Sequence, residues 1–185
     1  MKSLLATLMI ALSMNAFAAN PKIVIKTNKG DIEAELFEDK APKTVKNFLS
    51  YVEKGHYKDT IFHRVINDFM IQGGGFDKNM NEKAAPTKVE NEASADLKND
   101  TGTLAMARTN DPQSASAQFF INVKDNAFLN HTAKTDAGYG YAVFGKVTSG
   151  MPIVNKIKSV ATGRKGMFDD VPTDPVVILD IVKKK

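Results

Sequence analysis

With 185 residues, no cysteine, and 25 Lys and Arg against 21 Asp and Glu for a net charge of +4, the chain can close no disulfide, build no thiolate metal site and carry no lipid on a cysteine. Its lysines are interspersed with acids instead of clustering with aromatics, which argues against a nucleic-acid-binding stripe, and the terminal Lys183-Lys184-Lys185 reads as a solvated tail. A hydrophobic core has to hold the fold unaided.

Residues 1 to 18 carry Lys2, an apolar run from Leu4 to Met14 and the small-x-small triplet Ala16-Phe17-Ala18. These are the three parts of a secretory signal peptide, predicting a mature chain that starts at Ala19. The apolar run falls short of the roughly 20 residues that span a bilayer, so no membrane anchor is expected. Residues 19 to 185 suit one domain.

Ile23 to Ile25 and Ile32 to Phe37 read as two strands joined through Asn28-Lys29-Gly30-Asp31, whose Asn and Gly favour a hairpin. From Pro42 to Gly55 the period changes. Val45, Phe48, Leu49 and Val52 fall at i, i+3, i+4 and i+7, which predicts an amphipathic helix with Pro42 in its first turn and Gly55 just past its end.

Phe62 to Gly75 (FHRVINDFMIQGGG) places one cation and one amide among apolar side chains. Read as a strand, Phe62, Arg64 and Ile66 point one way, His63 and Val65 the other; beyond the turn residues Asn67 and Asp68, Met70 and Gln72 share a face before three glycines end the run. The surface so formed carries Arg64, Met70 and Gln72 together. It has the outline of a binding site.

Asp77 to Gly102 is polar and reads as long surface loops. Thr103 to Arg108 and Gln118 to Val123 are strand-like, and in the second Gln118, Phe120 and Asn122 share one face while Phe119 and Ile121 share the other. Either both faces are covered, or one phenylalanine lines a groove beside Met70. A strand from Tyr141 to Val147, a short helix opened by Ser149 and Pro152, and a last strand from Val176 to Val182 follow. About eight short strands and two helices, without βαβ alternation, favour a closed antiparallel barrel with helices over its ends.

His56, His63 and His131 are isolated, so metal binding has little support. No G-x-S-x-G occurs to place a hydrolase nucleophile, and Gly73-Gly74-Gly75 lacks the G-K-[ST] sequel of a phosphate loop, leaving a bulge or tight turn as its explanation. Asn99-Asp100-Thr101 and Asn130-His131-Thr132 match the short glycosylation pattern.

FHRVINDFMIQGGGF, GTLAMAR, SAQFFINV, AFLN and YAVFGKV, in that order, closely resemble the cyclophilin family of peptidyl-prolyl cis/trans isomerases over nearly all of Lys22 to Val182. With the leader, the likeness is to the bacterial periplasmic branch. The resemblance implies a mainly β fold, a closed eight-stranded antiparallel β-barrel capped by two α-helices, with a groove on its outer face.

It also implies roles. Arg64 falls at the catalytic arginine, Phe69, Met70, Phe120 and Leu129 at the proline pocket, Gln72 and Gln118 at the groove glutamines. Ala107 and Arg108 fall at the pair making main-chain contact with substrate, where Asn is usual at the second position. Phe128 stands where many members have Trp, and Tyr141 where many have His. The implied partners are proline-containing polypeptides, unfolded or partly folded exported proteins, met by a monomer without cofactor or metal. Cyclosporin is expected to bind weakly, because in the resemblance it accepts a hydrogen bond from the indole that Phe128 lacks. A proline-peptide binding module or chaperone with little turnover is the alternative.

Overall fold

Strands β1 (Lys22–Thr27) and β2 (Gly30–Leu36) pair as a hairpin in which every second side chain points inward, so Ile23, Ile25, Ile32, Ala34 and Leu36 are fully buried. The computed structural model of the protein describes residues 19–184; the leader expected over residues 1 to 18 lies outside the described residues. Asn28 in the hairpin turn is clamped to the far end of the chain. Its amide donates to the Pro175 carbonyl and its side-chain oxygen accepts from the Val177 amide, both at 3.0 Å.

Helix α1 (Pro42–Glu53) buries Val45, Phe48 and Leu49, the stripe its periodicity predicts. Ala41 offers no side-chain cap. Instead Glu92, fifty residues on from Pro42, accepts hydrogen bonds from the Lys43 and Thr44 amides at 3.1 and 2.7 Å and from the Thr44 hydroxyl at 2.7 Å. A remote carboxylate thus satisfies the orphan amides and meets the positive end of the helix dipole.

The wall is completed by β3 (Thr60–Ile66), β4 (Met70–Asp77), β5 (Thr103–Met106), β6 (Phe119–Asn122) and β7 (Val143–Ser149). Then come α2 (Met151–Lys158), β8 (Thr162–Lys165), β9 (Phe168–Pro172) and β10 (Val177–Lys183). Eight strands close an antiparallel barrel in the order β1-β10-β3-β4-β6-β5-β7-β2, so the first and last strands are neighbours. Phe48 packs into its core 5.0 Å from Phe144 and edge-on to Phe119 at 5.6 Å; Phe62 meets Phe119 at 6.1 Å. Each such buried side chain stabilises the fold by about 2 kcal/mol.

Three expectations change and one is qualified. Helix α2 starts after Gly150, not at Ser149, because residue 150 takes φ +93° and a Cβ there would stand 2.5 Å from the Asp31 carbonyl oxygen. Residues 78–102 are irregular, as expected of long loops, but are pinned to the barrel by Val89, Asn91, Leu97 and Asn99, which are buried. The hairpin β8–β9 was not anticipated; its residues lack apolar alternation, and all of β8 is exposed. Lys183 and Lys184 do not trail in solvent. Their amines pair with Glu53 and Glu33 at 2.6 Å, and the Lys184 amide donates to the Lys22 carbonyl at 2.8 Å.

Candidate active site

The groove is shaped by irregularities where β3 crosses β4. Phe62 pairs with Gly73 but Arg64 pairs with Gln72, so β3 carries one extra residue, His63, opposite its partner. That bulge breaks the strict alternation expected for Phe62 and Arg64. Phe62 is buried in the barrel, as is Val65, while His63 and Arg64 both border the outer cleft. The glycines do not end the strand either. β4 runs on to Asp77 through a second bulge, with Gly74 at φ +85°, and Gly75 leaves the space that Gln118 fills, since a Cβ there would lie 2.5 Å from it.

Beyond the bulge the register is regular. Arg64 faces Gln72, Ile66 faces Met70, and Gln72 faces Phe120 on β6. Phe119 therefore enters the core and Phe120 the groove. Arg64, Phe69, Met70, Gln72, Ala107, Arg108, Phe120, Leu129 and Tyr141 enclose one cavity of about 110 Å³. Gln118 lies in the adjoining cleft, joined to the cavity by a 3.1 Å hydrogen bond that the Gln72 amide donates to its Oε1. Phe128 stands outside the cavity, 75% exposed and stacked on Phe69 at 5.6 Å.

One wall is a stack of three side chains. The Arg108 guanidinium lies 4.5 Å from the centre of the Tyr141 ring, and Tyr141 meets Phe120 edge-on at 5.7 Å. Arg108 Nε donates to the Gly140 carbonyl at 3.1 Å and one terminal nitrogen to the Thr109 carbonyl at 2.9 Å, so its side chain is fixed by main chain. The Ala107 amide is committed to the Gln118 carbonyl at 2.9 Å. A main-chain contact from Ala107 thus falls to its carbonyl.

Behind the cavity sits a buried asparagine network that sequence reasoning missed. Asn126 donates to the Phe69 carbonyl at 2.8 Å and to Asn122 Oδ1 at 2.7 Å; Asn122 donates to Asn99 Oδ1 at 3.2 Å and to the Thr103 hydroxyl at 2.9 Å. Asn99 donates in turn to the carbonyls of Leu129 and Tyr141 at 3.1 and 3.3 Å. The network ties down the backbone of three cavity residues, and a buried amide with every partner in place is rigid. It also leaves Asn99, 1% exposed, inaccessible to a glycosyl donor in the folded protein. The available signal was Asn122, an amide ending an otherwise apolar strand.

Arg64 is half-exposed, and its Nε lies 3.9 Å from Asp170 Oδ2 on β9. Beside it, His63 is buried against Phe76 at a ring distance of 4.7 Å, its Nδ1 without a partner. Burial, helped by the Arg64 charge, pushes the imidazole pKa down to about 4, so His63 is neutral near pH 7 and brings no second cation to the groove.

A closed antiparallel barrel with an apolar cavity on its outer wall, edged by a fixed guanidinium and two glutamine amides, is an enzyme scaffold whose cavity lining offers hydrogen-bond donors and, among the described residues, no histidine or carboxylate. The family described as "Cyclophilin type peptidyl-prolyl cis-trans isomerase/CLD" matches residues 22–183. A peptidyl-prolyl cis-trans isomerase, cyp18, from Streptomyces antibioticus is 60% identical over 156 residues, covering 84% of this chain and 94% of its own. Peptidyl-prolyl cis-trans isomerase A of Dickeya dadantii is 47% identical over 191 residues, 99% of each chain. A crystal structure of a Cryptosporidium parvum cyclophilin type isomerase in the presence of the dipeptide Ala-Pro superposes with a TM-score of 0.74 at 33% identity, covering 89% of this chain and 99% of that one. The chain belongs to the cyclophilin-type peptidyl-prolyl cis-trans isomerases.

Proposed function

We propose that Arg64 accelerates rotation about X-Pro bonds in polypeptides seated across this groove, with the proline ring in the cavity of Phe69, Met70, Phe120 and Leu129. The observation that carries the reading is the position of the half-exposed guanidinium at the edge of an apolar cavity, opposite Gln72 in register. Rotation of the amide meets a barrier of about 20 kcal/mol because the nitrogen lone pair is delocalised into the carbonyl. Twisting localises that pair. The nitrogen becomes a better acceptor and the carbonyl less polar, so a donor and an apolar surround both favour the twisted state over the planar one. No proton has to transfer.

Turnover of a proline tetrapeptide, by protease-coupled assay or NMR exchange, tests this. Arg64→Ala is expected to lower kcat/KM roughly a hundredfold, the worth of one positioned donor of about 3 kcal/mol. Arg64→Lys should restore only part, since a flexible point charge does not reproduce planar donors. With a guanidinium as donor and His63 titrating near 4, kcat/KM should stay nearly flat from about pH 6 to 9. Wild-type turnover no faster than the free peptide would make the protein a binding module; an unimpaired Arg64→Ala would remove Arg64 from the mechanism.

The same reading has the chain exported, released from its leader before Ala19, and acting in the periplasm on unfolded or partly folded exported polypeptides. The lysine, apolar run and Ala16-Phe17-Ala18 support it. Mass spectrometry of the periplasmic fraction should give a chain beginning at Ala19, and Met1 retained there would refute it. The helices α1 and α2 then serve as barrel caps, and the protein works as a monomer, a reading that the full pairing of the eight barrel strands supports.

A further inference from the structure

Beside the groove lies an arm that the barrel does not need for closure. β8 and β9 pair only with each other, and the hairpin is held to the wall by Phe168, whose ring meets Phe76 at 5.1 Å, and by the buried Val171. Met167, Phe168, Asp169 and Asp170 line one continuous cleft with Arg64 and Gln72. The hairpin sorts its two acids. Asp169 pairs with Arg164 of its own strand partner at 3.8 Å, both side chains well exposed, whereas Asp170 adopts φ +60° and presents its carboxylate to Arg64. Among the described residues it is the one carboxylate within ion-pair reach of that guanidinium.

An arginine on an outward-facing strand position has many rotamers, and only a fraction of them hold its donors over the cavity. The side of the guanidinium that faces Asp170 is Nε, which leaves the terminal amino groups for the groove. Gln72, opposite in register, is turned to Gln118 by its own hydrogen bond and does not compete for the arginine.

We propose that Asp170 is a positioning residue for Arg64: from the β8–β9 hairpin its carboxylate attracts the Nε side of the guanidinium and biases the side chain toward orientations that keep the remaining donors on the groove side. This rests on the reading of Arg64 as the donor. An ordinary surface ion pair of this exposure adds little to stability, so a purely structural pair would leave turnover untouched. A positioning pair raises kcat instead, because it acts on the productive orientation more than on substrate capture.

The experiment is steady-state turnover of an X-Pro tetrapeptide by the mature chain and its Asp170→Asn, Asp170→Glu, Arg64→Ala and doubly substituted Asp170→Asn/Arg64→Ala variants. Asn tolerates a positive φ at least as well as Asp, so Asp170→Asn removes the charge and keeps the turn. Asp170→Asn should lower kcat about fivefold with KM and Tm nearly unchanged, the factor expected when a pair of this exposure no longer restrains the donor. Asp170→Glu should recover part of it. In the Arg64→Ala background the same substitution should change nothing, and the NMR signal of the Arg64 Nε–H should shift in Asp170→Asn. Full-speed turnover by Asp170→Asn, or an equal further loss in the Arg64→Ala background, overturns the inference while leaving Arg64 as donor. Wild-type turnover by Arg64→Ala overturns that reading and this inference with it.

Discussion

Phe119 and Phe120 are adjacent in the chain and stand on opposite sides of the barrel wall, the first edge-on to Phe48 in the core and the second edge-on to Tyr141 in the groove. Two substitutions of the same kind should therefore fail in different ways. Phe119→Ala removes a ring packed on three others and should cost about 4 kcal/mol of stability, while the protein that remains folded turns over like wild type. Phe120→Ala should lower kcat/KM tenfold or more at a smaller loss of stability, because it opens the cavity proposed for the proline ring. Chemical denaturation and peptide turnover on the two variants check this. Normal turnover by Phe120→Ala would refute the pocket assignment.

His63 makes stability depend on pH. Its folded pKa is about 4 against about 6.5 in an unfolded chain, so between those values the unfolded state binds the extra proton. Stability then falls as pH drops through that window and levels off below it, where both states are charged. From pH 7 to pH 5 the loss due to this group should be about 2 kcal/mol. Urea midpoints at the two pH values should show it for the wild type and show much less for His63→Gln. Equal slopes for the two proteins would rule out His63 as the source.

Phe128 offers an aromatic face without a donor, stacked on Phe69 at the rim of the cavity. Phe128→Trp should tighten cyclosporin binding about tenfold, since one hydrogen bond to an otherwise stranded acceptor is worth about 1 to 1.5 kcal/mol. Turnover of small peptides should hardly change, because Phe128 stands outside the cavity proposed for the proline ring. Titration calorimetry showing the same affinity for both proteins would count against the assignment at this position.

Asn99→Ala deletes the centre of the buried amide network. It strands the Tyr141 carbonyl and takes one of two partners from the Leu129 carbonyl and the Asn122 amide, at a cost of about 2 kcal/mol. Because both carbonyls belong to cavity residues, KM should rise as Tm falls. A lowered Tm with unaltered KM would confine the network to stability.

Much of this site was legible because β4 and β6 are regular where they carry it. Two-residue alternation groups Met70 with Gln72 and separates Phe120 from Phe119, and the three-to-four spacing of Val45, Phe48 and Leu49 marks α1. Alternation failed at Phe62, where one extra residue turns it inward while Arg64 stays out; a bulge leaves no mark on the hydrophobic pattern. Asp170 was hidden for a different reason. Its hairpin is attached chiefly by Phe168 and Val171, too few apolar residues to show a period. Asn99 and Asn126 bury their amides against main-chain carbonyls, a kind of contact that depends on where loops meet and not on any spacing along the chain.

The pairing of the first strand with the last has a bearing on how the molecule comes into being. Ile23 is hydrogen-bonded into a ladder with Lys183, and β10 also bridges to β3, so one strand seals the seam between the beginning of the domain and its middle. Until that strand is delivered, β1 and β3 each present an unpaired edge, the feature by which sheets stick to one another. A chain that emerges N-terminus first can make the β1–β2 and β3–β4 hairpins at once, but barrel closure waits for the final dozen residues and for a contact of nearly the greatest possible loop length. A truncation that removes only Val177 to Lys183 should therefore leave an aggregating open sheet with its groove residues all present.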